Sequence, residues 1–270
     1  MSQRSGPAPA DAGRRPAVEV DSVSKRFRIE YDRPSSLKEA VLRLGRRRID
    51  DFEVLHDVSV SIPSGSFFGL VGHNGSGKST LLRLMAGIHR PTAGEITTRG
   101  RLSALLELGA GFHPDLTGRE NVFLNGAMLG LGRREMADAM DAIVDFSGVG
   151  VQIDAPVKIY SSGMYARLGF AVAVNVDPEI LLVDEVIAVG DEEFQHRCLS
   201  HMEKLRSAGT TIVLVSHDTA LVSRLCDRAG WLDGGRLRAV GDPGEVTDAY
   251  LGAVAQGGLG ADTTESPRQG

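Results

Sequence analysis

The chain has 270 residues, enough for one large domain or two small ones with a substantial hydrophobic core. Hydrophobic residues make up 42% of it and charged residues 24%, as in ordinary globular proteins, and the net charge of −5 does not suggest a nucleic-acid-binding protein. No apolar run approaches the roughly 20 residues that span a bilayer, and the N-terminus lacks the apolar segment of a signal peptide. Cys198 and Cys226 lie outside any C-x-x-C motif, which predicts reduced thiols and neither a disulfide nor a zinc site.

The N-terminal region predicts a leader followed by short strands. Residues 1–16 are rich in Ser, Gly, Pro, Ala and Arg, a composition typical of disorder. Strands are predicted at 18–20 and 25–29. Phe27 and, shortly after it, Tyr31 each carry a ring that could stack on a nucleotide base or simply pack within a strand.

An insertion at residues 33–51 has the pattern of a basic amphipathic helix. Leu37, Val41 and Leu44 follow one another at the spacing of one apolar helix face, and many of the other positions are Lys or Arg. Such a helix is typical of a segment that meets a membrane surface or a partner groove. A solvated helix packed on its own domain is the alternative.

The strongest motif lies at residues 72–80, Gly-His-Asn-Gly-Ser-Gly-Lys-Ser-Thr, which fits G-x-x-x-x-G-K-[ST]. A buried strand is predicted just before it and a helix just after it, the context in which such a loop binds phosphates through backbone N–H groups and a helix N-terminus. Lys78 is expected to contact the β- and γ-phosphates, and Ser79 to ligate Mg²⁺. The predicted nucleotide-binding residues of this loop are Gly72, His73, Asn74, Gly75, Ser76, Gly77, Lys78, Ser79 and Thr80.

Strands and helices alternate around this loop, which predicts an α/β core with a mostly parallel sheet. Residues 112–175 are predicted to be mostly helical, and residues 254–270 a disordered tail. The other predicted elements are strands at 54–62, 180–183 and 211–215, a strand or extended segment at 101–108, helices at 120–128, 133–146, 194–205 and 220–226, and a hairpin at 229–240.

A pair of carboxylates follows the apolar strand at 180–183. In phosphate-loop enzymes a carboxylate at such a strand end holds Mg²⁺, which makes Asp184 a candidate metal ligand. Glu185 would then lie beside the γ-phosphate, where it could orient or deprotonate the attacking water.

Residues 160–164, Tyr-Ser-Ser-Gly-Met, resemble the Leu-Ser-Gly-Gly-Gln signature of ABC ATPases. Taken alone they would be explained as a helix N-cap at Ser161 or Ser162. His217 matches the switch histidine of that family, and residues 189–191 match the loop after its catalytic glutamate. The resemblance covers residues 17–251. It implies one nucleotide-binding domain at 17–253, with a phosphate-loop parallel-sheet core, an N-terminal antiparallel β part and a helical subdomain at 112–175.

Three longer segments, at 106–121, 160–168 and 184–191, resemble one branch of the family, the ATPase subunits of polysaccharide exporters of the O-antigen, teichoic acid and galactan types. The resemblance implies ATP hydrolysis coupled to export of a lipid-linked polysaccharide for cell wall biogenesis. It further implies a homodimer that binds a polytopic membrane permease, and no nucleic acid, at the cytoplasmic face of the cell membrane. The alternatives are an ABC exporter ATPase for a drug or another lipid, and a soluble ABC ATPase.

The resemblance also assigns roles to single residues. The catalytic residues would be Glu185 and His217, and the metal ligands Ser79, Asp184 and Glu107, the last standing where the family usually has a glutamine. The second subunit of a head-to-tail dimer would contribute its signature to the γ-phosphate. The ATP-binding residues outside the phosphate loop would be Phe27, Ser161, Ser162 and Gly163.

Overall fold

The computed structural model describes residues 15–30, 49–106, 109, 111–184 and 190–257. The strands, in chain order, are β1 (Pro16–Glu30), β2 (Ile49–Pro63), β3 (Phe67–Val71), β4 (Ala93–Thr98), β5 (Leu102–Leu105), β6 (Ile180–Asp184), β7 (Thr211–Val215), β8 (Arg228–Asp233) and β9 (Arg236–Gly241). The helices are α1 (Lys78–Met85), α2 (Gly118–Met128), α3 (Arg133–Ser147), α4 (Ser162–Val174), α5 (Glu192–Ser207), α6 (Thr219–Leu225) and α7 (Pro243–Ala255), with short 3-10 helices at Gly150–Asp154 and Val157–Ile159.

A six-stranded sheet with the spatial order β5-β6-β7-β3-β8-β9 forms the centre of the fold. Its neighbours pair in parallel from β5 through β8, and β9 closes the edge as the antiparallel half of a hairpin. Strands β3 and β7 are buried along their whole length, which explains their unbroken apolar sequences: both faces of a parallel sheet are covered.

Alternate side chains of these strands enter two hydrophobic clusters, one on each face of the sheet. Phe67 and Leu181 point into a cluster with Phe170 of α4 and several residues of α5. Their chain neighbours Phe68 and Leu182 point into the opposite cluster, which is shared with α1 and the smaller sheet. The sheet is therefore fixed from both sides.

The smaller sheet is antiparallel, in the order β2-β1-β4. The two short strands predicted at 18–20 and 25–29 are parts of the single strand β1, whose register with β2 shifts at several points. Strand β2 begins at Ile49, so the last residues of the predicted insertion, 49–51, are β-structure. The amphipathic helix expected earlier in that insertion falls largely on residues 31–48, outside the described part of the chain.

Between β5 and β6 the chain forms the predicted helical part. Thr117 caps α2 and completes a capping box with Glu120, whose carboxylate accepts from the Thr117 N–H. Met136 and Met140 of α3 are buried in the cluster that joins these helices. The α/β fold with a parallel core, an antiparallel β part and a helical part is therefore confirmed.

Two elements at the periphery were not predicted, β4 and α7. Helix α7 begins with Asp242 as N-cap and Pro243 in its first turn, and it continues through Ala255, into the segment expected to be a tail. Most of the expected leader, 1–14, and of the tail, 258–270, lies outside the described residues. Among the residues that are described, no helix is long and apolar enough to cross a membrane.

Candidate nucleotide-binding site

The predicted site residues of the core meet at one edge of the large sheet. Asp184 ends β6, His217 follows the end of β7, and the phosphate loop at 72–80 follows β3. These three strands are neighbours, and Val215 of β7 pairs with Asp184 on one side and Leu70 on the other. Their carboxyl ends are therefore level, at the edge where open α/β sheets bind ligands.

Glycine is required at two positions of the phosphate loop by close approaches to neighbouring elements. Gly72 and Gly77 have φ angles of 152° and 105°. A Cβ atom on Gly72 would lie 2.2 Å from the carbonyl oxygen of Leu232, and one on Gly77 would lie 2.7 Å from Leu55 Cδ2. The loop thus lies directly on β8 and β2, which hold its backbone in the curved shape that phosphate binding needs.

Lys78 lies inside this loop with only 5% of its surface exposed. Its Nζ donates to the carbonyl oxygens of Gly72 at 2.7 Å and His73 at 2.9 Å, so the ammonium group is held within the curve of the loop. Helix α1 begins at Lys78, and its first-turn N–H groups add partial positive charge at the same place. The loop therefore fits an anionic phosphate chain.

The β8–β9 hairpin forms the back of the loop, a contact that the sequence did not reveal. His73 Nε2 lies 3.2 Å from Asp233 Oδ1, and Arg238 binds the same carboxylate. The Gly235 N–H donates to the Ser76 carbonyl oxygen at 3.1 Å, and the Gly235 carbonyl accepts from the His56 N–H on β2. The predicted hairpin turn is therefore also a support of the phosphate loop.

The signature residues lie at the start of α4, in the helical part. Ser161 and Ser162 are exposed, and Gly163 is half-buried. Ser161 is the N-cap, since its Oγ accepts from the Met164 N–H at 3.2 Å. Helix α4 packs on α2, α3 and β5, whereas the phosphate loop packs on β2 and the β8–β9 hairpin.

Comparison with known proteins identifies the family. The sequence profile of the ABC transporter family matches residues 55–188. The O-antigen export system ATP-binding protein RfbB of Klebsiella pneumoniae is 42% identical over 248 residues, which cover 89% of this chain and 99% of that protein. The chain belongs to the family of ABC transporter ATP-binding proteins.

Other ABC relatives carry related export names. RfbB of Myxococcus xanthus is 50% identical over 87% of this chain, but the chain spans only 55% of that longer protein. The teichoic acids export ATP-binding protein TagH of Staphylococcus haemolyticus is 38% identical, with coverage of 87% of this chain and 88% of that protein.

Solved ABC structures show the same fold. An ATP-binding subunit of an ABC transporter aligns with a TM-score of 0.69 and 22% identity over 91% of this chain and 95% of that one. A dimeric ATP-binding cassette in a post-hydrolysis state, bound to ADP and Pi, aligns with a TM-score of 0.66 and 20% identity over 84% of this chain and 98% of that one.

His217, the predicted switch histidine of this ABC ATPase, lies exposed in a tight turn between β7 and α6. The turn is fixed by Ser216, whose Oγ accepts from the Asp218 N–H at 3.0 Å, and by Asp218, which caps α6 through the Leu221 N–H. Asp184 is half-buried on the neighbouring strand. Glu185 and Glu107, the predicted base and third metal contact, lie outside the described residues.

Two side chains of α4, the helix that begins at the signature, bond to residues that lie near Glu107 and Glu185 in the sequence. Neither contact was predicted. The Tyr165 hydroxyl donates to the Gly109 carbonyl oxygen at 2.9 Å, and its ring packs edge-on against Phe112. Arg167 donates to Asp191, the N-cap of α5, at 2.8 Å. The pKa of Asp191 is lowered by the hydrogen bond from the Phe194 N–H and by Arg167, which favours its charged form.

Phe27, the predicted base-stacking residue, is half-buried on β1. Its ring meets the His89 ring edge to face at 5.6 Å, and the Lys25 ammonium lies 4.8 Å from its centroid. Tyr31 lies outside the described residues. A stacking role for Phe27 stays a prediction.

Proposed function

We propose that this chain is the ATP-hydrolysing subunit of an ABC exporter that moves a lipid-linked polysaccharide across the cytoplasmic membrane. One observation carries the proposal: the chain aligns with almost the whole of an O-antigen export ATP-binding protein. The aligned carboxyl ends of β3, β7 and β6 support the hydrolytic part, because they bring the phosphate loop, His217 and Asp184 to one edge.

The phosphate loop would hold ATP through its backbone N–H groups, the α1 N-terminus and Lys78. Ser79, Asp184 and Glu107 are the oxygen donors that would hold Mg²⁺, which when bound neutralises charge on the phosphates. Glu185 would take a proton from a water molecule while the water oxygen bonds to the γ-phosphorus. The bond between the γ-phosphorus and the β–γ bridging oxygen would break, which releases ADP and phosphate. His217 would contact the γ-phosphate side of the site.

The exposed signature supports a head-to-tail homodimer with two composite sites. Ser161, Ser162 and Gly163 lie at a helix N-terminus, which favours an anion, and they belong to a different part of the fold from the phosphate loop. In a symmetric dimer one pair of surfaces would complete both sites. ATP would then favour the closed dimer, and hydrolysis would release it.

A groove beside the helical part is suited to a permease segment. It has a volume of about 550 Å³ and is lined by residues of α1, β5, α2 and α4 together with Gly109. Ile88 and Met128, 58% and 65% exposed, present apolar surface there. Because Gly109 lines the groove, a permease helix bound in it would contact the chain between β5 and α2. This permease contact, together with a second contact made by residues 33–51, would keep the chain at the cytoplasmic face of the membrane.

The test is a pull-down of tagged Glu185→Gln protein from native membranes solubilised in mild detergent with ATP. We expect a polytopic membrane protein to co-purify, and lipid-linked glycan to accumulate in cells depleted of the ATPase. Lys78→Ala, which should not trap ATP, is the matched control. Accumulation of a different lipid or a drug would refute the polysaccharide as cargo. Ribosomes or DNA-bound proteins without a membrane protein would refute the exporter.

The insertion needs its own test. Arg46→Glu combined with Arg47→Glu reverses two charges of the predicted basic helix, and glycan export should fall while ATP hydrolysis by the purified chain is retained. Unchanged export would show that this segment does not meet the membrane, the permease or the cargo phosphates.

A further inference from the structure

Tyr160, the residue directly before the signature serines, is fixed through both its main chain and its side chain. Its N–H donates to the Val157 carbonyl oxygen at 3.0 Å. Its hydroxyl donates to the Gln152 carbonyl oxygen at 2.5 Å, and its half-buried ring packs against the hydrophobic cluster of the helical part. Burial raises the pKa of Tyr160, which keeps the hydroxyl in the protonated form that donates. The ring therefore cannot turn without losing a hydrogen bond.

The Tyr160 hydroxyl also lies against Gly118, the first residue of α2. A Cβ atom on Gly118 would collide with the hydroxyl oxygen and would lie 3.0 Å from the Ile153 carbonyl oxygen, so the position has room only for glycine. Backbone hydrogen bonds join residues 114–118 to residues 155–158, among them one of 3.2 Å from the Gly118 N–H. The start of α2 and the turn that leads to the signature are therefore one unit, and the phenol is enclosed within it.

The family signature has no counterpart to this hydroxyl. Leu-Ser-Gly-Gly-Gln has a leucine at the position of Tyr160, and leucine has no hydrogen-bond donor in its side chain. In this chain the additional bond fixes the residue that precedes Ser161, the N-cap of α4, whose Oγ accepts from the Met164 N–H. The orientation of Ser161 therefore depends on where the phenol is held.

We propose that Tyr160 is a positioning residue for ATP hydrolysis: its hydroxyl, held between Gly118 and the Gln152 carbonyl, fixes Ser161 in the orientation from which the signature acts on ATP. The inference rests on the proposed role of the signature at the γ-phosphate. A small misplacement of a group that contacts the transition state is enough to slow a reaction strongly. Hydrolysis should therefore respond to changes at Tyr160, whereas ATP binding by the phosphate loop should not.

The experiment compares ATP binding with steady-state hydrolysis in variants of the full chain, and binding is measured by calorimetric titration in EDTA, which prevents hydrolysis. Tyr160→Phe keeps the ring and removes the hydroxyl, so kcat should fall about fivefold, the equivalent of one hydrogen bond, at unchanged ATP affinity. Gly118→Ala displaces the whole ring and should lower kcat by about 10²-fold. In the double variant the added methyl group no longer meets a hydroxyl, so hydrolysis should be faster than in Gly118→Ala.

Gly126→Ala is the matched control for a general disturbance of the helical part. Gly126 lies on the same helix as Gly118, but a Cβ atom there would collide with the Met136 side chain. This variant should lower the thermal stability and leave kcat unchanged at a temperature where the chain is folded. If Gly126→Ala lowered kcat as much as Gly118→Ala, general destabilisation would explain both, and the positioning role would be refuted.

Mixed chains separate a failure of this inference from a failure of the proposed dimer. Gly118→Ala mixed with Lys78→Ala should regain hydrolysis, because one site then has an intact loop and an intact signature. Gly118→Ala mixed with Ser161→Ala should not, because both signatures are defective. If Ser161→Ala mixed with Lys78→Ala fails to recover, the dimer is refuted, and the binding and hydrolysis of Tyr160→Phe still decide the positioning role.

Three results would overturn the positioning role of Tyr160. The first is a wild-type kcat in Tyr160→Phe, and the second is a loss of ATP affinity in that variant as large as its loss of kcat. The third is a double variant no faster than Gly118→Ala. If Gly118→Ala does not fold, the first two results remain decisive, because Tyr160→Phe removes only one oxygen atom.

Discussion

The phosphate loop and the signature are the two parts of this chain that we propose contact phosphate, and they are built in opposite ways. The loop is enclosed: β2 and the β8–β9 hairpin touch its backbone, and Lys78 is almost fully buried within it. The signature is an exposed helix end at which Ser161 forms the N-cap. The side chains that bond this helix to other segments, Tyr165 and Arg167, lie further along it.

This difference suggests that the two parts have different roles. A loop held on several sides is organised before its ligand arrives, so less ordering entropy is lost on binding. An exposed helix N-terminus with small residues has its N–H groups and positive dipole directed away from its own fold, where they suit a phosphate on another molecule. The enclosed part would bind the nucleotide, and the exposed part would complete the site of a second chain.

Replacing Lys78 by alanine should have the largest effect, because it removes the buried charge of the enclosed part. We expect ATP hydrolysis to fall by about 10²–10³-fold, the usual cost of losing one preorganised charge that stabilises a transition state, with weakened ATP binding. Steady-state assays and nucleotide titration measure both. Lys158→Ala breaks only an exposed ion pair with Asp115 and should change neither. Near-normal hydrolysis by Lys78→Ala would show that the loop does not hold ATP in this way.

Ser161 variants test whether the exposed part serves another chain. Ser161→Ala should retain ATP binding but lose hydrolysis, and it should cost about 1 kcal/mol of stability through the lost N-cap. Ser161→Asp keeps a capping side chain but brings negative charge toward the phosphates, so it should be stable and inactive. Both variants are assayed for binding, turnover and thermal unfolding.

Mixing the variants shows whether the signature acts on the nucleotide of its own chain or on that of a partner chain. A mixture of Ser161→Ala and Lys78→Ala chains can form dimers in which one site has an intact loop from one chain and an intact signature from the other. Hydrolysis should then reappear. If the signature acted on its own chain's nucleotide, every site in the mixture would be defective and no activity would return.

Tyr165→Phe tests the fastening of the signature helix with a smaller change. The ring and its packing on Phe112 remain, while the hydrogen bond to the Gly109 carbonyl is lost. The free energy of unfolding should fall by about 1 kcal/mol, the usual net value of one hydrogen bond, and denaturant titration measures it. Tyr165→Leu, which also removes the ring, should cost more. Equal stability of wild type and Tyr165→Phe would mean that this bond contributes nothing to the fastening.

The smallest expected effect concerns a half-buried histidine. Half-buried His201 of α5 packs on Phe146, and burial lowers its pKa. The unfolded chain therefore binds this proton more readily, so stability should be unaffected above the ordinary histidine pKa of about 6.5 and fall as the pH drops below it. Thermal unfolding at pH 7.5 and 5 should show a smaller difference in His201→Gln than in wild type. Exposed His196→Gln should behave as wild type, and an unaltered difference in His201→Gln would refute the assignment.

The parts of the site that the sequence predicted are those built from neighbouring residues. The phosphate loop is a contiguous motif between a strand and a helix, and Lys78 bonds to carbonyl oxygens five and six residues before it. Asp184 was predicted from its position at the end of an apolar strand, and His217 from the family resemblance. Both lie at the carboxyl ends of parallel strands, which share one edge of the sheet. The signature was recognised by resemblance, since a serine at a helix start is otherwise an ordinary cap.

The parts that could not be predicted depend on contacts between distant residues or on weak patterns. Tyr165 and Gly109 are 56 residues apart, and the hairpin predicted at 229–240 gave no sign that Asp233 contacts the phosphate loop. Strand β4 is exposed and polar, so it lacks a hydrophobic period. In α7 the glycines dilute the helical pattern, although Asp242 followed by Pro243 was a usable start signal.

The two hydrogen bonds that hold α4 have a consequence for coupling between the ATP sites of the proposed dimer. One helix is bonded at Tyr165 to the segment after β5 and at Arg167 to the segment after β6, and it begins at the signature. If a nucleotide shifts either segment, the helix must move with it or lose a bond. In the proposed dimer the occupancy of one site would thereby alter the affinity of the other, and thermodynamic reciprocity requires an equal effect in return. A single rigid helix would make the two ATP molecules cooperative ligands.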